Sequence, residues 1–178
     1  MHKNSLILMK EFADKFEVKG TVVDIGSYDI NGNYKSLFPD AEYVGVDIQA
    51  GPNVDVLMGS EEWKELKDVD TVIMGQTLEH VADIPGLMAE ISRVLKPGGL
   101  LCIIAPSEGP RHDYPIWVGN FSKERMEEAV NSVGFEIIEC KLSDEAPFFD
   151  NRCIARKPIV VEFEIKKPVK AESRKYDK

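Results

Sequence analysis

Polar residues follow two runs of β-branched residues in an arrangement that suits a nucleoside. Asp24 to Tyr28 reads Asp-Ile-Gly-Ser-Tyr and closes the first run, and Asp47 closes the second. Glycine at such a turn lets the backbone approach a ligand closely, and a carboxylate there can accept hydrogen bonds from both hydroxyls of a ribose. Asp47 lies about twenty residues beyond the glycine turn, which favours an adenosine-type cofactor without a 2′-phosphate. The structural alternatives to a ligand site are that the Gly26 segment is a plain turn and that Asp47 is an exposed acid at the end of a strand.

Two further segments stand next to predicted strands. Residues 75–81 (GQTLEHV) follow the fourth strand, and residues 95–101 (LKPGGLL) lead into the fifth. In an open parallel sheet, ligands bind beyond the carboxyl ends of the strands, so the residues that follow a strand are candidates for a site.

Strands and helices alternate along the chain, which predicts an α/β fold built on a mainly parallel sheet. About six residues join strands two and three, whereas a parallel crossover normally needs a dozen or more, so the helix between them is expected to be reduced and strand three to be an edge stub. The predicted strands are 21–25, 42–46, 53–57, 70–74, 100–105, 135–140 and 152–156, with a possible extension at 159–165. The predicted helices are 4–18, 33–38, 83–95 and 122–133.

Composition limits the classes of function. The 178 residues suit one domain, 1–165, followed by a basic tail, 166–178, that we expect to be solvated and disordered, with docking to an acidic partner as the alternative. A net charge of −9 argues against general binding to nucleic acid. Three cysteines at unrelated spacings indicate buried thiols in a reducing compartment and no metal site. With neither a signal peptide nor a membrane span, a cytoplasmic location is expected.

The four segments, in their order and spacing, resemble class I S-adenosylmethionine-dependent methyltransferases, particularly the type 11 methyltransferase domain. The resemblance covers residues 20–157, and its strongest parts are LEHV at 78–81 and LKPGG at 95–99. It implies a Rossmann-like, seven-stranded sheet with helices on both faces. It also implies S-adenosylmethionine as cofactor, with S-adenosylhomocysteine as product.

The resemblance assigns a cofactor site residue by residue. The first loop would hold the methionine part, the end of strand two would hold ribose and adenine, and the loop after strand four would lie near the methionine end. For His80, a structural histidine with a satisfied hydrogen bond is the alternative. Tyr28 replaces the family's second loop glycine, Gly59 or Ser60 stands where an acid often meets adenine, and Asp55 is a substitute for that acid. The predicted site comprises Asp24, Gly26, Ser27, Tyr28, Asp47, Ile48, Gln76, Thr77 and His80.

The acceptor is expected at the sixteen-residue stretch 106–121, because long irregular connections in compact domains usually bind ligands. We predict His112, oriented by Asp113, as the catalytic pair that faces the acceptor. Arg111 would bind an anionic group, with Tyr114 or Trp117 as a pocket wall. A surface loop is the structural alternative.

These observations predict methyl transfer to an unidentified acceptor, a small molecule or sugar in preference to nucleic acid. One rival is a methyltransferase-like interaction module that does not catalyse. The other is an NAD-dependent oxidoreductase, which shares the first turn and Asp47 but lacks the full glycine fingerprint.

Overall fold

A computed structural model describes residues 3–111, 116–143 and 149–159 of the chain. The strands of these residues are β1 (Gly20–Ile25), β2 (Ala41–Asp47), β3 (Val56–Leu57), β4 (Val69–Gly75), β5 (Leu95–Pro106), β6 (Glu136–Ser143) and β7 (Asp150–Arg156). They form one sheet in the order β3-β2-β1-β4-β5-β7-β6. Strand β7 runs antiparallel to β5 and β6, and the other neighbouring strands are parallel. The prediction of a mainly parallel, seven-stranded α/β fold is therefore confirmed.

Helices cover both faces of the sheet, as predicted. Helix α1 (Lys3–Phe16) packs on one face together with a 3₁₀ turn at Lys35–Leu37. The other face is covered by α2 (Glu61–Glu65), α3 (Ile84–Val94) and α4 (Lys123–Asn131). The central strands are consequently buried on both sides, which explains their nearly continuous apolar runs.

Helix α1 is tied to the sheet through Arg152, which is only 3% exposed. Its Nη1 donates to the Leu8 carbonyl at 2.8 Å and to Glu11 at 2.9 Å, and its Nη2 donates to Glu139 at 2.7 Å. These contacts pair two of the three guanidinium nitrogens and fix the helix across strands β6 and β7, whereas the buried Nε has no hydrogen-bond partner among the described residues.

The connection between β2 and β3 contains no helix. Residues 48–55 form bends and turns, and β3 is a two-residue strand at the sheet edge. The prediction of a reduced connection with an edge stub is confirmed.

Three local predictions differ from the structure. Residues 33–38 form only the 3₁₀ turn Lys35–Leu37, because so short a segment cannot nucleate an α-helix before Pro39 stops it. Leu95, expected on a helix face, has an extended backbone and pairs with Val69 as the start of β5. Helix α2 was not predicted; the Ser60 side chain caps it by accepting from the Trp63 amide.

The order of the strands reverses between β1 and β4. From β1 the chain moves outward to β2 and β3, and it then returns to the other side of β1 as β4. The loops that follow β1 and β4 therefore leave the sheet side by side at its carboxyl-terminal rim. Ligands of open α/β sheets bind at such a crevice.

Candidate cofactor site

Gly26 forms a tight turn directly after β1. Its φ of +81° lies in the left-handed region, and its amide donates to the Val46 carbonyl at 2.8 Å. A Cβ atom at this position would lie 2.1 Å from Thr77 Oγ1. Only glycine therefore permits this turn to touch the loop after β4.

The first loop is joined to the β2–β3 connection by a set of short hydrogen bonds. Ser27 Oγ donates to the Asn53 carbonyl at 2.9 Å, and Asn53 Nδ2 donates back to the Ser27 carbonyl at 3.0 Å. The Asp29 amide donates to the Pro52 carbonyl at 3.0 Å. The Ser27 hydroxyl thus has a partner inside the chain, and its contact with a methionine moiety stays a prediction.

Asp47 lies against the first loop at the end of β2. Its Oδ2 accepts from the Tyr28 amide at 3.2 Å and its Oδ1 accepts from the Gln49 amide at 3.0 Å. Each carboxylate oxygen can accept a further hydrogen bond. The neighbouring Ile48 is 71% exposed. The structure therefore brings a carboxylate and an open apolar side chain together next to the glycine turn.

Tyr28 packs against the β2–β3 connection. A Cβ atom on Gly51 would lie 2.1 Å from the Tyr28 ring, so the two residues are in direct contact. The ring therefore extends along the wall formed by that connection, whereas the amide of the same residue is turned to Asp47.

The loop after β4 has an unusual backbone. Gln76 has a φ of +58°, which lies in the left-handed region that residues other than glycine seldom adopt. Its amide donates to the Ile104 carbonyl at 2.8 Å, and its Nε2 donates to Asp150 Oδ1 at 3.0 Å. Such backbone conformations persist where surrounding contacts impose them, and they cluster at functional sites. Thr77 lies against the Gly26 turn, and the contact of Gln76 and Thr77 with the methionine end of a cofactor stays a prediction.

The rim holds three buried carboxyl groups: Asp24, Glu79 and Asp150. Burial raises the pKa of Asp24 to about 7, against a hydrogen bond from Tyr43 that lowers it. Burial also raises the pKa of Glu79 to about 8, and the charge of Asp150 adds to this effect. Within the described part of the chain, neither carboxylate oxygen of Glu79 has a hydrogen-bond partner.

Sequence reasoning assigned no role to Glu79. Glu79 lies within the LEHV segment, but the sequence of that segment does not show that the side chain is fully buried. The available signal was an acidic residue directly between Leu78 and His80 in a segment that follows a strand.

His80 connects the rim to the stretch that follows β5. Its Nδ1 lies 2.5 Å from the Ile116 carbonyl, and its ring meets Trp117 edge-on at 6.0 Å between centroids. The Val118 amide donates to the Glu79 carbonyl at 2.8 Å. The geometry matches the structural alternative for His80, and its contact with a cofactor stays a prediction.

The predicted catalytic pair, His112 and Asp113, lies outside the described residues, as do Tyr114 and residues 160–178.

Two residues near the expected adenine site make hydrogen bonds within the chain. Asp55 Oδ2 accepts from the Gly45 amide at 2.8 Å, and the Ser60 side chain caps α2. Asp55 therefore ties the β2–β3 connection to β2, and its contact with adenine stays a prediction.

The residues at the end of β2 fit a ligand that carries hydroxyl groups. Asp47 offers free lone pairs beside the exposed apolar side chain of Ile48. A ribose suits this pair, whereas the carboxylate would repel a phosphate.

A family model described as a methyltransferase domain matches residues 6–139. The chain belongs to this family. This match confirms the resemblance to methyltransferases, and the narrower type 11 assignment stays a prediction.

A relative of the domain also has a methyltransferase name. A protein of Mycolicibacterium smegmatis named as a probable S-adenosylmethionine-dependent methyltransferase is 30% identical over 94 residues, which span 48% of this chain and 37% of that protein. The chain therefore covers well under half of that relative's length.

Two solved structures share the fold of the methyltransferase domain. A methyltransferase from Aquifex aeolicus, described as S-adenosylmethionine-dependent, has a TM-score of 0.62 at 20% identity, covering 85% of this chain and 90% of that one. The 1,6-didemethyltoxoflavin-N1-methyltransferase of Burkholderia thailandensis, with 1,6-didemethyltoxoflavin and S-adenosylhomocysteine bound, has a TM-score of 0.65 at 15% identity, covering 87% of this chain and 79% of that one.

The described residues offer neither a metal-binding cluster nor a membrane-spanning helix. Among the described residues, no group of three or more His, Cys, Asp or Glu side chains could hold a metal ion. No described helix has the length and apolar character needed to span a membrane.

Proposed function

We propose that this methyltransferase domain transfers a methyl group from S-adenosylmethionine to a small-molecule or sugar acceptor. The observation that carries the proposal is the placement of Asp47 and exposed Ile48 against the Gly26 turn. The net charge of −9 disfavours a nucleic acid acceptor.

The proposed binding roles follow from the positions of the side chains. Asp47 would accept hydrogen bonds from the ribose hydroxyls, and Ile48 would lie against the adenine. Gly26 and Thr77 would form the floor, with Gln76 near the methionine end. The bound cofactor supplies an activated methyl group, so the protein chiefly has to hold donor and acceptor in line.

Replacing Asp47 with alanine should weaken binding of S-adenosylhomocysteine about tenfold or more, because two charge-assisted hydrogen bonds to ribose are lost. Titration calorimetry with S-adenosylhomocysteine measures the effect. Asp40→Ala is the matched control, since Asp40 is an exposed acid that precedes β2 at the opposite end of the sheet. Equal affinity of the Asp47 variant and the wild type would remove Asp47 from the site.

The same titration separates the rival functions. Binding of NADH without binding of S-adenosylhomocysteine would favour an oxidoreductase. Binding of neither ligand at millimolar concentration would favour a non-catalytic interaction module, which a shared fold alone does not exclude.

For the acceptor side, we propose His112, oriented by Asp113, as the group that removes a proton from a hydroxyl or amine acceptor. Support comes from the end of the stretch that contains both residues. The Phe121 amide donates to the Pro106 carbonyl at 2.8 Å, the Val118 amide donates to the Glu79 carbonyl, and the Ile116 carbonyl lies against the His80 ring, so residues 116–121 lie at the rim.

A methylation screen over metabolite and sugar acceptors would first identify a substrate. His112→Ala and His112→Asn should then lower turnover about tenfold or more, since a positioned acid or base typically contributes on the order of 100-fold. Affinity for S-adenosylhomocysteine should stay within about twofold of the wild type. Undiminished turnover in both variants would eliminate His112 from the mechanism.

A cytoplasmic location is also proposed, on the strength of three cysteines that form no disulfide with one another. The basic tail, 166–178, is proposed to be solvated, with an acidic partner as its alternative.

A further inference from the structure

Two cysteines face each other across the edge of the sheet. Cys140 on β6 and Cys153 on β7 are register partners in an antiparallel pair. Directly opposed residues of such a pair point to the same face, with Cβ atoms about 4.5–5.5 Å apart. A disulfide needs Cβ atoms about 3.5–4.5 Å apart. A shift of about 1 Å would therefore bring the two sulfur atoms into bonding geometry.

The position of β6 makes such a shift feasible. Among the described strands, β6 lies at the edge and pairs with β7 alone, so none of them holds its other side. Its register with β7 is irregular between Ile137 and Glu139, immediately before Cys140. An irregular edge strand adjusts at lower cost than a central strand paired on both sides.

The two thiols differ in access and acidity. Cys140 is half-buried, whereas Cys153 is fully buried. A hydrogen bond from Cys153 holds the pKa of Cys140 below its usual value, and the same contact raises the pKa of Cys153. Cys140 is thus the accessible, more nucleophilic thiol, with Cys153 placed behind it. Lys123, Glu124 and Glu127 of α4 are the charged groups that act on the pair.

We propose that Cys140 and Cys153 form a thiol–disulfide exchange site that takes a small disulfide, such as oxidised glutathione, as oxidant. The Cys140 thiolate attacks one glutathione sulfur, a mixed disulfide forms, and one glutathione thiolate leaves. Cys153 then attacks Cys140 Sγ, its proton passes to solvent, and the second glutathione thiolate leaves. The two cysteines lose two protons and two electrons, and glutathione disulfide gains the electrons.

Cys102 supplies an internal control. It is fully buried on β5, and its register partner on β7 is Ile154, so it packs on the face covered by α1. Cys153 packs on the other face. The sheet itself therefore separates Cys102 from the pair.

The experiment incubates the whole chain with oxidised glutathione and follows intact mass and linked peptides by mass spectrometry. The wild type and Cys102→Ser should each lose two hydrogens and yield a peptide that joins Cys140 to Cys153, reversed by dithiothreitol. Cys153→Ser should stop at a glutathione adduct on Cys140, and Cys140→Ser should remain reduced.

Three results would overturn the proposal. They are a wild-type chain that remains reduced, a wild-type chain that stops at the glutathione adduct, and a disulfide that involves Cys102. Because the decisive measurement is made on the wild type, misfolding of a variant cannot obscure it.

Discussion

Replacing Gly26 with alanine should weaken binding of S-adenosylhomocysteine roughly 100-fold and lower the free energy of unfolding by about 2–4 kcal/mol. The left-handed backbone costs a side chain about 1–2 kcal/mol. The added Cβ would also lie 2.1 Å from Thr77 Oγ1, so one of the two loops must move. The Tyr28 amide that donates to Asp47 follows two residues later, and displacing it would disturb the proposed ribose site.

Gly134→Ala is the matched control for this variant. Gly134 also has a left-handed φ, +71°, but an added Cβ would meet nothing within 4 Å. It follows α4, away from the loops of the site. The control should lose only the backbone contribution, about 1–2 kcal/mol, and bind S-adenosylhomocysteine normally. Urea unfolding and calorimetry measure both quantities, and equal behaviour of the two variants would refute the proposed contact with Thr77.

Stability should fall as the pH rises from about 4 to about 8, because two buried carboxyls keep their protons longer in the folded state. The pKa of Glu79 is raised from 4.5 to about 8, and that of Asp24 from 3.8 to about 7. Between the ordinary and the raised value the unfolded chain binds fewer protons, so rising pH favours unfolding. Each group contributes a slope of about 1 kcal/mol per pH unit within its window.

Glu79→Gln should abolish this dependence between about pH 7 and 8, where only Glu79 contributes, and reduce the slope by about half between about pH 4.5 and 7. Asp24→Asn should reduce the slope by about half below about pH 7 and leave it unchanged above that value. Glu136→Gln, a change at an exposed acid on β6, is the matched control and should leave the profile unchanged. Urea unfolding across the pH range gives the slopes, and a Glu79→Gln profile parallel to the wild type would contradict the assignment.

Local sequence was sufficient for most of the elements and for the residues that follow strands β1, β2 and β4. Nearly continuous apolar runs ended by Gly26 or Asp47, and apolar runs of period 3.6, are set by neighbouring residues, so most strands and helices could be read directly. The rule that ligands meet the carboxyl ends of parallel strands then brought Gly26, Asp47 and Thr77 together.

Tertiary structure alone decided the features that depend on distant parts of the chain. Glu79 is buried because Val118 and its neighbours pack over the turn, and Ser27 bonds to Asn53 because a helix-free connection folds back on the first loop. Cys140 faces Cys153 only in the observed register of β6 and β7. Burial, register and loop contacts arise from long-range packing, which the spacing of residues along one segment does not encode.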